Sequence, residues 1–187
     1  PETVLQFAVR KNNSEIIVFI INHPSFDKEK SCLEKAIFTT IYQNNLDTFK
    51  ILVTMSNSNF LSIAIQYGRI EIIKEILNNF KEKELFDDFC RNLFTIEQNT
   101  FEIMEILFKY DNEHDKSIDL NKLSSFGETA FTSICFHSQK NNIFKNIDEI
   151  VKFLLENGAD PNLPNKKGKY PLQHAIELNS IEFVLSL

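Results

Sequence analysis

Glycine is scarce in this chain, with four residues in 187. No Gly-x-Gly-x-x-Gly fingerprint, phosphate-cradling glycine loop or Gly-x-Ser-x-Gly elbow occurs, which excludes the commonest nucleotide-binding and hydrolase signatures. Basic charge is also short: Lys and Arg total 20 against 26 Asp and Glu, the net charge is −6, and arginine is confined to Arg10, Arg69 and Arg91. Such a chain has no basic stripe to follow a phosphate backbone, so nucleic acid is not an expected partner. The three cysteines, Cys32, Cys90 and Cys135, are odd in number, form no Cys-x-x-Cys pair and sit among apolar residues. That pattern fits reduced buried thiols better than redox or metal chemistry. It implies a cytoplasmic or otherwise intracellular compartment, which would include a host cytosol if the source is a parasite or pathogen. The longest aliphatic and aromatic run, Ile16 to Ile21, is far too short to span a bilayer, so no membrane is expected as a partner.

Four histidines, His23, His114, His137 and His174, stand at no i, i+4 zinc-protease spacing, and no metal is expected. The acidic stretch holding Asp111, Glu113 and Asp115 lacks the glycine and distal glutamate of a calcium loop and reads as solvated charge. No catalytic residue and no small-molecule cofactor is expected from these patterns.

What the chain does have is helix period with punctuation. A hydrophobic fraction of 43% and a charged fraction of 25% are those of a folded protein. From Phe153 onward the sequence reads Phe-Leu-Leu-Glu-Asn-Gly-Ala-Asp-Pro-Asn, then a short link, then Lys169-Tyr-Pro-Leu-Gln-His-Ala-Ile-Glu-Leu-Asn-Ser-Ile-Glu-Phe-Val-Leu. This is a helix stopped by glycine, a hairpin-like turn, a helix opened by proline, a tight turn and a second helix. The stretch resembles the ankyrin repeat family, whose unit of about 33 residues carries Thr-Pro-Leu-His-x-Ala near its first helix.

Residues 147–187, 3–21 and 60–77 carry the resemblance most strongly. In residues 3–21, Thr3-Val-Leu-Gln-Phe-Ala stands where the family motif falls, with Leu5, Phe7 and Ala8 expected on one buried helix face. Asn12 replaces the family glycine at a position of positive φ, Ser14 offers a capping hydroxyl, and Glu15 opens the next helix. The same acidic position recurs at Asp47, Glu71, Glu102, Glu149 and Glu182, at intervals of 32, 24, 31, 47 and 33. Asn44, Gly68, Asn99 and Asn179 repeat the turn. The short interval leaves no room for a hairpin before Phe60. The long one places a polar loop from Lys109 to Gly127 and an insertion within Phe136 to Asn146.

The expected architecture is therefore an all-α, ankyrin-like α-solenoid of about six stacked helix-turn-helix repeats, irregular in the middle. Residues 1–187 read as a single repeat domain. A start at Pro1 and a stop inside a helix read as a fragment truncated within its last repeat.

The resemblance implies a non-catalytic module that binds another protein. Family members commonly hold their targets with the hairpin tips and the exposed ends of the first helices, along the concave face. The positions that correspond here are the two residues before each turn: Arg10 and Lys11, Tyr42 and Gln43, Gln66 and Tyr67, Glu97 and Gln98, Glu177 and Leu178. Phe136 and His137 are the nearest equivalents in the expanded unit, and the tip Asn165-Lys-Lys-Gly-Lys is a further contact site. Tyr42 and Tyr67 are weighed as partner contacts against a plainer role, packing on adjacent units with only their hydroxyls wet. His174 is expected buried and hydrogen-bonded. Two alternatives stand beside this reading. One is the targeting or substrate-recruiting domain of a larger enzyme or effector whose catalytic part lies elsewhere. The other is a small-molecule or metal site in the irregular segment from Phe80 to Phe126.

Overall fold

A computed structural model of the chain describes residues 2–26, 30–79, 100–114, 118–138, 147–177 and 184–185, and no strand occurs among them. The helices are α1 (Val4–Arg10), α2 (Ser14–Asn22), α3 (Lys30–Tyr42), α4 (Leu46–Val53), α5 (Leu61–Gln66), α6 (Ile70–Asn79), α7 (Thr100–Glu113), α8 (Ala130–Ser138), α9 (Ile147–Glu156) and α10 (Pro171–Glu177). The chain divides into two compact units, Pro1–Lys81 and Glu82–Leu187.

In the first unit the helices pair in sequence, α1 with α2, α3 with α4 and α5 with α6, while α1 packs on α3, α3 on α5, and α4 on α6. Apolar residues three and four apart bury one face of each helix. Leu5, Ala8 and Val9 do so in α1, Ile37 and Ile41 in α3, Leu61, Ala64 and Ile65 in α5. Phe49 and Leu52 fill the core from α4, and Ile72, Ile73 and Ile76 from α6. Thr40 stands where Ala8 and Ala64 stand, and its buried hydroxyl donates to Ile37 O at 2.6 Å. Phe7 departs from expectation. It is exposed, because the buried face runs through residues 5, 8 and 9.

One turn is repeated three times. Asn12, Asn44 and Gly68 have φ of 53°, 57° and 63°. The next amide donates back to the carbonyl five residues earlier, Asn13 to Ala8 at 3.2 Å, Asn45 to Thr40 at 2.9 Å and Arg69 to Ala64 at 2.9 Å. This left-handed stop closes the first helix and turns the chain directly into the second. Asn13 and Asn45 then cap the second helices, their Oδ1 atoms accepting from Ile16 N and Thr48 N, each at 3.0 Å. Asn13 thus takes the capping role expected of Ser14, which is already the first helical residue. Between α4 and α5 there is only a bend, held by Asn59 Oδ1 accepting from Leu61 N at 2.7 Å.

Three of the first helices, α1, α8 and α10, also begin alike. In α1 the Thr3 amide donates to Gln6 Oε1 at 2.9 Å and the Gln6 amide to Thr3 Oγ1 at 3.3 Å. Before α8 the Thr129 amide donates to Thr132 Oγ1 at 2.8 Å, and before α10 the Tyr170 amide donates to Gln173 Oε1 at 2.9 Å. Gln6, Thr132 and Gln173 therefore do locally, at the family's histidine position, the work of a cap that satisfies an orphan donor.

In the second unit α8 packs on α9 and on α10. Phe153 of α9 meets Phe101 and Phe108 of α7 edge-on, with centroids 5.7 and 5.4 Å apart. The stretch from Lys109 expected as loop is helical as far as Glu113. Asp111 in it is buried, with Oδ2 accepting from Ile118 N at 3.0 Å, so this carboxylate anchors the returning chain. Two hairpin tips follow. In each, glycine at positive φ, Gly127 and Gly168, donates back three residues, to Ser124 O and Asn165 O, both at 2.8 Å. No helix among the described residues is long and apolar enough to cross a membrane.

Candidate partner-binding surface

In the first unit the ends of α1, α3 and α5 carry Arg10, Lys11, Tyr42, Gln43, Gln66 and Tyr67, and the fold ties these ends together. Gln43 Nε2 donates to Arg10 O at 3.0 Å. Arg69 donates through Nε to Ile41 O at 3.0 Å and through a terminal nitrogen to Tyr42 O at 2.6 Å. Each bond brings a donor to a carbonyl at a helix C-terminus, where positive charge is favoured.

Tyr42 and Tyr67 meet at right angles, ring centroids 5.6 Å apart. The contact leaves Tyr42 62% exposed. Tyr67 is half-buried. Arg10 is held by Glu2, Nε to Oε1 at 3.0 Å and the terminal nitrogen to Oε2 at 3.1 Å. That hydrogen bond, with the charge of the carboxylate, raises the guanidinium pKa further above an already high value. The Arg10 guanidinium and the Lys11 ammonium lie over the exposed Phe7 ring, 5.1 and 5.8 Å from its centroid. Phe7 therefore joins the surface, which the sequence reading missed by assigning it to the core. Gln43 and Gln66 are exposed.

In the second unit the tip at Asn165 is organised from within. Asn165 is buried, its Oδ1 accepts from Lys167 N at 2.9 Å and Lys169 N at 3.0 Å, and its amide donates to Glu128 Oε1 at 3.2 Å. The same amide stands 3.4 Å from His174 Nε2. His174 is buried as expected, and burial, reinforced by Lys169, holds its pKa below the usual imidazole value against the opposing pull of Glu128 and Glu177. Lys169 pairs with Glu177, leaving Lys166 and Lys167 as the outward cations of the tip. The Lys166 amide donates to Gly127 O at 2.7 Å, which links the two tips by main chain. Asn121 links them again, donating to Gly158 O at 2.9 Å and accepting from Asp160 N at 2.7 Å.

Of the remaining expected contacts, Glu97, Gln98 and Leu178 lie outside the described residues, as do Asn99, Asn179 and Cys90. Phe136 and His137 stand in α8, but their side chains are outside the described set, as is that of Cys135. Cys32 is a free thiol donating to Thr3 Oγ1 at 3.1 Å. Among the described residues no three His, Cys, Asp or Glu side chains come together as a metal-holding group. An open groove of about 580 Å³ along α7 and α9 is lined by Phe108, Phe153, Glu102, Glu105 and Lys109, all of them but Phe153 within the segment from Phe80 to Phe126.

Residues 93–187, a little over half of the chain, match a family model described as ankyrin repeats in three copies. The chain is 29% identical over 175 residues to a protein of Borreliella burgdorferi named for ankyrin repeats, covering 91% of this chain and 70% of that protein. It is 26% identical over 96 residues to a similarly named protein of Rickettsia bellii, covering 51% of this chain and 52% of the relative. The crystal structure of an ankyrin repeat domain from Acinetobacter baumannii superposes with a TM-score of 0.67 at 19% identity, over 97% of this chain and 94% of the other. At that identity the likeness is one of fold, and the fold is an all-α solenoid.

Proposed function

Because this chain belongs to the ankyrin repeat family, we propose that it is a non-catalytic module that grips a partner protein with the ends of its first helices and its hairpin tips. Repeats of this kind are in general scaffolds for protein–protein interaction and not for catalysis. The observation that carries the finer reading is the pair Tyr42 and Tyr67, whose rings brace each other while Tyr42 keeps most of its surface in solvent. A braced aromatic loses little conformational freedom on binding, and tyrosine and arginine are the side chains that concentrate binding energy in interfaces. Arg10, Lys11 and Phe7 extend the patch with stacked cationic and apolar surface. Lys166 and Lys167 offer a second contact on the outer tip of the other unit.

The test is a double variant, Tyr42→Ala with Tyr67→Ala, used beside the unaltered chain to capture partners from the native cell and to titrate the protein so recovered. Affinity is expected to fall by about 2 kcal/mol or more while the circular dichroism spectrum stays native. Unchanged affinity with a native spectrum would remove these tyrosines from the interface. The chain spans about half the length of the Rickettsia relative. A recruiting role for a longer protein therefore stands as a second form of the same reading, and a catalytic domain in the flanking sequence would favour it.

A further inference from the structure

The register of the three turns allows the helix pairs of the first unit to be compared position by position. Counted from Asn12, Asn44 and Gly68, Val4 corresponds to Ala36 and Phe60, and Ile16 to Thr48 and Ile72. In the second and third pairs these positions are closed: Ala36 is 0% exposed, Phe60 4%, Thr48 1% and Ile72 0%. In the first pair they are open, with Val4 73% and Ile16 49% exposed. Ile20 follows the same rule. It is half-buried where Leu52 and Ile76 are buried. Phe19 stands beside them on α2 and is 71% exposed.

The cause of the difference can be assigned. The first pair has a neighbour on its C-terminal side, since α1 packs on α3, just as α3 of the second pair packs on α5. What the second and third pairs have, and the first lacks, is a helix pair before them. A true terminal repeat turns a polar face outward, whereas this face carries valine, isoleucine and phenylalanine. We infer that α1 and α2 form an interior repeat, and that Val4, Ile16, Ile20 and Phe19 seat a further ankyrin-type helix pair carried by the same polypeptide ahead of residue 1. Its occupant is fixed by continuity with the α1–α3 interface: the arriving first helix presents to Val4 the kind of apolar ridge that Leu5, Ala8 and Val9 make in α1. A second copy meeting this face with its own α1 and α2 would set like positions against like. It would not reproduce the stagger by which one pair follows the next.

The experiment compares hydrogen exchange of α1 and α2 in residues 1–187 and in the natural polypeptide extended to its own upstream start. At least tenfold slower exchange of both helices is expected in the longer chain. Val4→Glu with Ile16→Glu should abolish that gain, yet leave the thermal midpoint of residues 1–187 unchanged, because both side chains are exposed there. Three results would overturn the inference. They are equal exchange rates in the two chains, a natural start within a few residues of Pro1, and a dimer of residues 1–187 in sedimentation that Ile16→Glu dissolves. The last would give the face to a second copy.

Discussion

Gly127 shows most sharply what a single residue contributes. Its φ of +78° is a conformation that L side chains resist, and a Cβ built there would lie 2.7 Å from the Lys166 Cβ. Gly168 has nearly the same φ, +76°, with nothing within 4 Å of the added atom. Gly168→Ala is therefore expected to cost the conformational strain alone, about 1–2 kcal/mol, and Gly127→Ala clearly more. Urea unfolding of the two variants measures the difference, and equal losses would mean that the Lys166 contact yields without cost. His174 is a second residue whose surroundings set its behaviour. Its pKa is depressed in the folded chain, so an unfolded chain binds the proton more readily. Stability is then full above the unfolded value, about 6.5, and declines as pH falls from there toward the lower folded value. His174→Gln should flatten this decline between pH 7.5 and 5.5 in denaturant titrations. A slope as steep as that of the unaltered chain would assign it to other groups.

Among the elements, the helix stops were legible and the caps less so. Only glycine and asparagine enter the left-handed region at little cost, so Asn12, Asn44 and Gly68 announced their turns through residue type alone. Asn44→Ala is expected to cost about 1 kcal/mol and Asn44→Gly close to nothing, with thermal unfolding as the measure. The run Asn12-Asn13-Ser14 offers three polar side chains for one cap, and sequence cannot rank them. The backbone did, by giving Asn13 the extended conformation that a cap requires. Phe7 was misplaced because five apolar residues crowd α1, and any window of it contains a plausible buried face. The polar residues of α7 beyond Lys109 resembled a loop for the opposite reason, since a helix with a solvated side shows few apolar residues near its end.

For the molecule as a whole, nearest-neighbour packing governs both stability and the reach of any change. Phe49, fully buried in α4, belongs to a pair flanked by α1 and α5 through its partner α3, and by α6 directly. Phe49→Ala should lower stability by about 3–5 kcal/mol. Hydrogen exchange should rise most in α3 and α4 and less in α1, α5 and α6. A uniform rise over all six helices would indicate that they open as one. The repeat identity was readable from residues such as Tyr170-Pro-Leu-Gln-His-Ala because a repeated unit writes its pattern several times over. The arrangement of the proposed partner surface was readable only in outline. Whether a helix-end tyrosine faces a neighbour, the solvent or both depends on contacts between units, and the sequence of one unit does not contain them.

The bond from the Lys166 amide to the Gly127 carbonyl uses backbone at both ends. Any residue except proline can supply that amide, so the lysine side chain at the tip is free to change without loosening the attachment. If the tip is a contact site, as proposed, variation there would alter what is recognised while the architecture stays put, and a library randomised at positions 166 and 167 would draw new specificities from an unchanged frame.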